Sequence, residues 1–336
     1  MSIQQVAQQA GVSVATVSRV FNLPDKVSPA TRERVTEVAL ALGYLPNASA
    51  RTLRTQRSRV LGVVLPTLLN PVFAECLEGI AQAATAAGYA IVPITTDYGI
   101  AQEQQAAQQL LAGNAAGMIL VVSDPATSAV LGRLRAAGLP YVLLYSRHAE
   151  HPCVSIDNSG AVAQVVQRLA RLGHRDIAMV SGQRTASDRA QQRYQGFLQG
   201  MEAVPGARTR LLEVPFTTTA AQLLAELLTP PTRPTALVCS NDLLAIRSLR
   251  AAHLCGLRVP QDLSVVGFDG IALGEELTPV LSTVVQPNHD IGRRGVELVL
   301  DALARDAALS AADSVLLEHG FREGESHAAC PATASS

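Results

Sequence analysis

The stretch Ser2-Ile3-Gln4-Gln5-Val6-Ala7-Gln8-Gln9-Ala10-Gly11-Val12-Ser13-Val14-Ala15-Thr16-Val17-Ser18-Arg19-Val20-Phe21-Asn22 decides the fold of the first sixty residues. Ser2 is placed to cap a helix, and Gln5, three residues on, completes a capping box. Ile3, Val6, Ala7 and Ala10 then share one helical face. Gly11 accepts a positive φ without penalty and suits a tight turn. Ser13 caps a second helix, in which Ala15, Val17, Val20 and Phe21 supply apolar bulk. A third helix begins with Ser28 as cap and Pro29 as its first residue, repeats Val35, Val38, Ala39 and Leu42, and stops at Gly43 before Pro46. Two short helices meeting at a glycine turn, with a third behind them, spell a helix-turn-helix. Val14, Ala15, Thr16, Ser18 and Arg19 are the candidates for facing DNA: the short side chains let the helix sit deep in a groove, and Arg19 can reach a guanine edge or a phosphate.

Charge points the same way. Residues 1–60 hold eight basic and three acidic side chains, a net +5, while the whole chain is −1. A basic head on an acidic body separates a surface that phosphate attracts from one that it repels. The 336 residues are 48% hydrophobic and 16% charged, enough for a large core. No apolar run reaches about 18 residues, so no membrane span is expected. The N-terminus lacks the features of a signal peptide, so a cytoplasmic location is expected. Five scattered cysteines form no CxxC pair and read as reduced thiols. There is no phosphate loop, no dinucleotide fingerprint, no HExxH and no nucleophile elbow. His148 and His151 are three apart in an expected surface loop and make a poor metal site. Neither catalysis nor a cofactor is expected.

From residue 59 short β-rich runs alternate with longer helical ones. Strands are expected at Val60–Leu65, Ala90–Ile94, Met118–Val122, Tyr141–Leu144, Ile177–Val180, Ala236–Cys239 and Leu263–Val266. Helices are expected at Val72–Ala87, Gln102–Ala112, Ala161–Leu172 and Arg189–Ala203. This is an α/β body with parallel sheets, and the strands are too many for one compact open sheet. Two lobes are expected, with a crossover near Ile156–Ser159 and a return to the first lobe through Leu281–Pro287 and Asp290–Ala304. Residues 327–336, rich in Ala, Ser and Thr, read as a disordered tail. Ligands in such sheets bind beyond the carboxyl ends of the strands. That rule selects Asn70 and Phe73, Ser123, Arg193, Asn241 and Asp269. Each also has a structural reading: Asn241 as a helix cap, Asp269 as a turn residue, Phe73 as core.

The residues Val6-Ala7, Gly11-Val12-Ser13, Ala15-Thr16-Val17-Ser18-Arg19-Val20 and Asn22, then Gly43-Tyr44-Leu45-Pro46-Asn47 and Ala50-Arg51-Thr52-Leu53-Arg54, resemble the LacI/GalR family of bacterial transcription regulators. The resemblance continues at lower density to about residue 325. It implies a helix-turn-helix head over 1–46, a hinge helix over 47–58 that orders on DNA, and a periplasmic-binding-protein-like body over 59–326. It implies that Leu53 wedges a central base step in the minor groove. It also implies that the strand-end residues line an effector cleft between the lobes. Many sugar-binding members carry an aspartate after the strand equivalent to Tyr141–Leu144, where this chain has Ser146. With Arg147, Arg189 and Arg193 nearby in sequence, that change favours an anionic effector, a sugar acid or sugar phosphate. The reading is a ligand-responsive, sequence-specific repressor of a carbohydrate or sugar-acid operon, acting as a homodimer on a palindrome of double-stranded DNA. Val14, Ala15 and Arg19 are expected to read bases, and Thr16, Ser18, Asn22, Arg51 and Arg54 to hold phosphates. The alternative, a solute receptor without a DNA role, has no use for the basic head.

Overall fold

The computed structural model describes residues 1–44, 58–215, 220–229 and 233–331. The chain divides into two compact units, Met1–Ser58 and Arg59–Ser336. The head holds α1 (Ile3–Gln9), α2 (Val14–Asn22) and α3 (Pro29–Ala41). The caps fall where the sequence puts them. Ser2 accepts from the Gln5 amide while the Gln5 side chain accepts from the Ser2 backbone. Ser13 accepts from Thr16 N at 3.1 Å, and Ser28 from Thr31 N at 3.4 Å. Gly11 turns at φ +62°. Val6, Ala7, Ala10, Val17, Val20, Val35 and Ala39 close a small core, flanked by Ile3, Val12, Phe21 and Tyr44. The hinge reading, with Arg51, Leu53 and Arg54, lies outside the described residues.

The body contains two six-stranded sheets. The first lobe is built on β1 (Val60–Leu65), β2 (Ala90–Thr95), β3 (Gly117–Leu120), β4 (Tyr141–Leu144) and β5 (Cys153–Ser155). The second is built on β6 (Asp176–Ser181), β7 (Arg208–Glu213), β8 (Ala236–Cys239), β9 (Ser264–Asp269) and β10 (Ser282–Val285). Two short strands, β11 (Val315–Leu316) and β12 (Gly320–Arg322), complete the edges. The orders are β11-β5-β4-β3-β1-β2 and β12-β10-β9-β8-β6-β7. All pairs are parallel except β10 with β12. Central strands such as Val60–Leu65 are nearly continuous hydrophobic runs because helices cover both faces. Those helices are α4 (Pro71–Ala86), α5 (Ile100–Ala112), α6 (Ala129–Ala136), α7 (Asn158–Arg171), α8 (Asp188–Glu202), α9 (Ala220–Leu227), α10 (Asp242–Leu254) and α11 (Asn288–Arg305).

Two expectations need correction. First, Leu281–Pro287 does not return to the first lobe as a unit. Ser282–Val285 pairs with β9 in the second sheet, and only α11 is back in the first lobe, where Asn288 donates to Glu75 and His289 bonds Gln82. A further crossing, between β11 and β12, is invisible in the sequence pattern because each strand is only two or three residues long. Second, residues 327–331 are not a loose tail. Ala328 N donates to Ser264 Oγ, Ala328 O is bonded by His174 Nε2, and Cys330 N donates to Leu172 O. Composition suggested disorder, but the segment satisfies buried donors and acceptors of the second lobe. His151 is likewise no free ligand: its Nδ1 lies 2.7 Å from the Tyr141 hydroxyl.

A DNA-reading face and a cleft between two lobes

In the head, α2 turns Val17 and Val20 inward and leaves Val14, Ala15 and Arg19 exposed on the opposite side. Thr16, Ser18 and Asn22 are half-buried along its flank. Asn22 Nδ2 donates to Ser18 O at 2.6 Å, one turn back, so part of its donor capacity is used within the helix. The outward surface is therefore short-chained with one guanidinium, the shape a groove-reading helix needs.

In the body, the ends of β1, β4, β6, β8, β9 and β10 converge on a cavity of about 40 Å³. Five of the six strand-end residues singled out in the sequence line it: Asn70, Phe73, Arg193, Asn241 and Asp269. From the first lobe, Asn70 caps α4 by accepting from Val72 N at 3.3 Å. The Phe73 ring meets the Tyr145 ring edge-on at 5.8 Å. Tyr145 follows β4 directly, with φ +65°, and its hydroxyl donates to Val72 O. Tyr98, at φ +59°, adds a third aromatic wall.

From the second lobe, Arg189 and Arg193 project from one face of α8. Arg193 Nε donates to Asn158 Oδ1 at 2.9 Å, and Nη1 donates to Ser240 O and to Asp269 Oδ1 at 3.3 Å. Its guanidinium lies 3.6 Å from the centre of the Phe268 ring. Asp269, the last residue of β9, is held at φ +121°, a strained conformation for a residue with a Cβ. Its carboxylate also accepts from Gln286 Nε2 at 2.9 Å. Burial pushes the Asp269 pKa up to about 6, against the pull of Arg193, and lowers that of Arg193. Desolvation thus outweighs the attraction of the pair, as is common for buried ion pairs. Burial also pushes the Tyr98 hydroxyl up to about 12.

The lobes are tied across the cleft. Asp188 N donates to Ser123 O at 2.8 Å, and Arg189 Nη1 to Val122 O at 2.9 Å. Asn158 Nδ2 donates to Tyr145 O. Pockets for small ligands run to about 300–1,000 Å³, so the cleft as it stands is closed to well below that size.

Ser123 does not join the other five. Its hydroxyl donates to Glu103 at 2.5 Å, and it borders a separate cavity of about 760 Å³. Arg147 lines that second cavity too, and Ser146 is wholly buried. The cationic cluster expected from Arg147, Arg189 and Arg193 is therefore split between two cavities. Asn241 proves to be both cap and lining, accepting from Leu244 N at 2.8 Å. Tyr98, Tyr145 and Gln286 are not among the residues that the sequence singles out. Tyr145 follows β4 directly and obeys the same strand-end rule. Gln286 falls within the segment expected to return to the first lobe, which hides it.

A family model for the bacterial regulatory proteins of the lacI family matches residues 2–47, and one for a periplasmic binding protein-like domain matches residues 166–326. The HTH-type transcriptional repressor CytR of Escherichia coli is 33% identical over 308 residues, covering 90% of this chain and 89% of CytR. Catabolite control protein A of Priestia megaterium is 33% identical, covering 89% and 91%. Among solved structures, the lac repressor dimer bound to operator and an anti-inducer superposes with a TM-score of 0.87 at 26% identity, covering 98% of this chain and 99% of that one. These relatives are regulators of transcription, not enzymes, and none of them favours a receptor without a DNA role. The chain belongs to the LacI family and is a DNA-binding transcriptional regulator.

Proposed function

We propose that the chain is a cytoplasmic, homodimeric repressor whose operator affinity is set by a sugar or sugar derivative held in the interlobe cleft. The observation that carries this reading is the buried Arg193–Asp269 pair facing an aromatic wall. A guanidinium fork beside a carboxylate can grip vicinal hydroxyls or a carboxylate, while Phe73, Tyr98 and Tyr145 cover an apolar ring face. Similar proteins support the class: one matched structure is a CelR–cellobiose complex and another a LacI-family regulator with bound ribose. Arg193 is already paired with Asp269 and Arg189 with Asp188, so the preference for an acidic sugar over a neutral one rests on Ser146, where many sugar-binding members have an aspartate. In the head, Val14, Ala15 and Arg19 read base edges in each half-site. Thr16, Ser18, Asn22, Arg51 and Arg54 hold phosphates, and Leu53 wedges the central step. Effector and operator are coupled through lobe closure, for which about 1–3 kcal/mol is usual.

The test is fluorescence anisotropy of the full chain on DNA from upstream of its own gene, across salt concentrations. D-ribose, cellobiose, D-gluconate and D-glucose 6-phosphate are then added in turn. Salt-steep, specific binding shifted by D-gluconate or D-glucose 6-phosphate is the expected result. A shift by the neutral sugars alone would remove the anionic preference. Binding no tighter than to random DNA, and indifferent to all four, would overturn the reading.

A further inference from the structure

Asp242, the first residue of α10, has no place in the cleft. It is fully buried behind it and does not line the cavity. Its two carboxylate oxygens are both committed. Oδ2 accepts from the backbone N–H of Ile271 at 2.9 Å, and Oδ1 accepts from the Thr283 hydroxyl at 2.5 Å. The carboxylate presses on the β9 backbone at Gly267, where a Cβ would lie 2.1 Å from Oδ1, so only glycine leaves room for it.

These bonds frame the short turn Asp269–Gly270–Ile271, which has two working ends. At one end stands Asp269, strained at φ +121°, with its carbonyl oxygen accepting from Gln286 N and Asn288 Nδ2. At the other end, Ile271 is buried in the apolar cluster of the first lobe, together with Phe73, Tyr145 and Ile291. One turn of the second lobe thus presents the cleft carboxylate and plugs the first lobe. Its strained backbone persists only where surrounding bonds over-determine it.

We propose that Asp242 is a positioning residue: by clamping Ile271 N and the Thr283 hydroxyl it fixes the 269–271 turn, aiming Asp269 at the effector and coupling effector contact to the packing of Ile271 in the first lobe. The assignment rests on the reading of Asp269 as an effector ligand. The charged groups around Asp242 are Asp269 on β9, Arg322 on β12 with its partner Glu275, and Arg193 on α8 beyond Asp269. Burial and the Asp269 charge push the Asp242 pKa up to about 7. Protonation therefore removes one acceptor from the clamp near neutral pH, and effector affinity should fall as pH drops through that value.

The test uses the full chain in three forms: wild type, Asp242→Asn and Thr283→Val. The Asp242→Asn change keeps the size, but an amide cannot accept both hydrogen bonds. The Thr283→Val change removes one donor while keeping the shape. Two readouts are taken. The first needs no effector: carbon-13 NMR of aspartate-labelled protein follows the titration of Asp269, assigned by its loss in Asp269→Asn. The second is the rise in melting temperature caused by D-gluconate or D-glucose 6-phosphate between pH 5.5 and 8. In Asp242→Asn the Asp269 midpoint should rise as the released turn loosens its carboxylate from Arg193, whose charge lowers it; Asp242 itself is already largely neutral where Asp269 titrates. Sugar affinity should weaken by about tenfold, the size of one lost hydrogen bond to a charged group, and lose its pH limb near 7. Thr283→Val should weaken the sugar response and shift the Asp269 titration, and Thr283→Ser should restore both. An unmoved Asp269 midpoint together with a wild-type sugar response and pH profile would overturn the assignment. If Asp242→Asn fails to unfold cooperatively, the Thr283→Val and Thr283→Ser pair decides alone. If neither sugar shifts the wild type while the Asp269 midpoint still moves in the variants, the clamp stands and the effector class falls.

Discussion

The two lobes contribute opposite chemistry to the same cleft. The first supplies aromatic rings, Phe73, Tyr98 and Tyr145, on and beside α4 and at the end of β4. The second supplies Arg189, Arg193, Asp269 and Gln286. Rings are stabilised by their own burial, so the first wall stands with few polar partners. Charges are not. The second wall stays buried only because Asn158, Ser240 and Gln286 hold its donors and acceptors in advance. Even so, both Arg193 and Asp269 are displaced toward neutrality. A cleft with one dry wall and one prewired wall is expected to lose most when the wiring is cut and less when the dry wall is trimmed.

The sharpest way to break the comparison is Arg193→Ala. Removing one partner of a buried pair leaves Asp269 uncompensated, and the loss in urea unfolding should be about 3–5 kcal/mol. Sugar response should disappear with it. Arg193→Lys should recover little, because a point charge cannot serve Asn158, Ser240 and Asp269 together. A variant as stable as wild type would show that the second wall is not prewired.

On the first wall, Phe73→Ala should cost about 3 kcal/mol, the lower end for a buried phenylalanine, because part of the ring faces the cavity. Phe73→Leu should cost about 1 kcal/mol. Sugar affinity should fall with the lost ring face in both. A Phe73→Ala loss larger than that of Arg193→Ala would reverse the ranking of the two walls.

The same contrast explains what could be read in the sequence. The head was legible almost to the residue, since caps, the Gly11 turn and helical spacing are local signals, and Ser2, Ser13 and Ser28 do cap. The alternation of strand and helix, and two lobes rather than one, were also legible. The cleft residues Arg193 and Asp269 followed from the strand-end rule. What escaped depended on long-range pairing. Strands β11 and β12 are too short to carry a period, and the anchoring of 327–331 is made by His174, Ser264 and Leu172, far away in sequence. Tyr145 is masked by its neighbour Ser146, because the comparison with an aspartate selects the residue one step further on. At a strand end a one-residue step changes which side chain enters the cleft.

Ser123 gives the smallest and most discriminating effect. It lies just beyond β3, as the lining residues lie at or beyond their strands, yet its side chain turns back to the first lobe. Both Ser123 N and Oγ donate to Glu103 Oε1, at 2.8 and 2.5 Å. Only its carbonyl oxygen faces the second lobe, accepting from Asp188 N, and an alanine keeps that carbonyl. Ser123→Ala should therefore cost about 1.5 kcal/mol, the value of a hydrogen bond to a charged group, while sugar affinity stays within about twofold. The cost should depend on pH with a defined sign. Burial raises the Glu103 pKa above its ordinary value, and the Ser123 hydroxyl and amide oppose that rise. Removing the hydroxyl raises it further, so the ionised carboxylate is less well tolerated. The stability deficit of the variant should be largest at neutral pH and should shrink as pH falls through the folded-state pKa, where Glu103 is protonated in both proteins. Urea unfolding at pH 7.5 and at pH 4.5 reads this directly. A deficit that grew toward acid, or a loss of sugar affinity beyond tenfold, would return Ser123 to the cleft and make the two walls less distinct than their chemistry suggests.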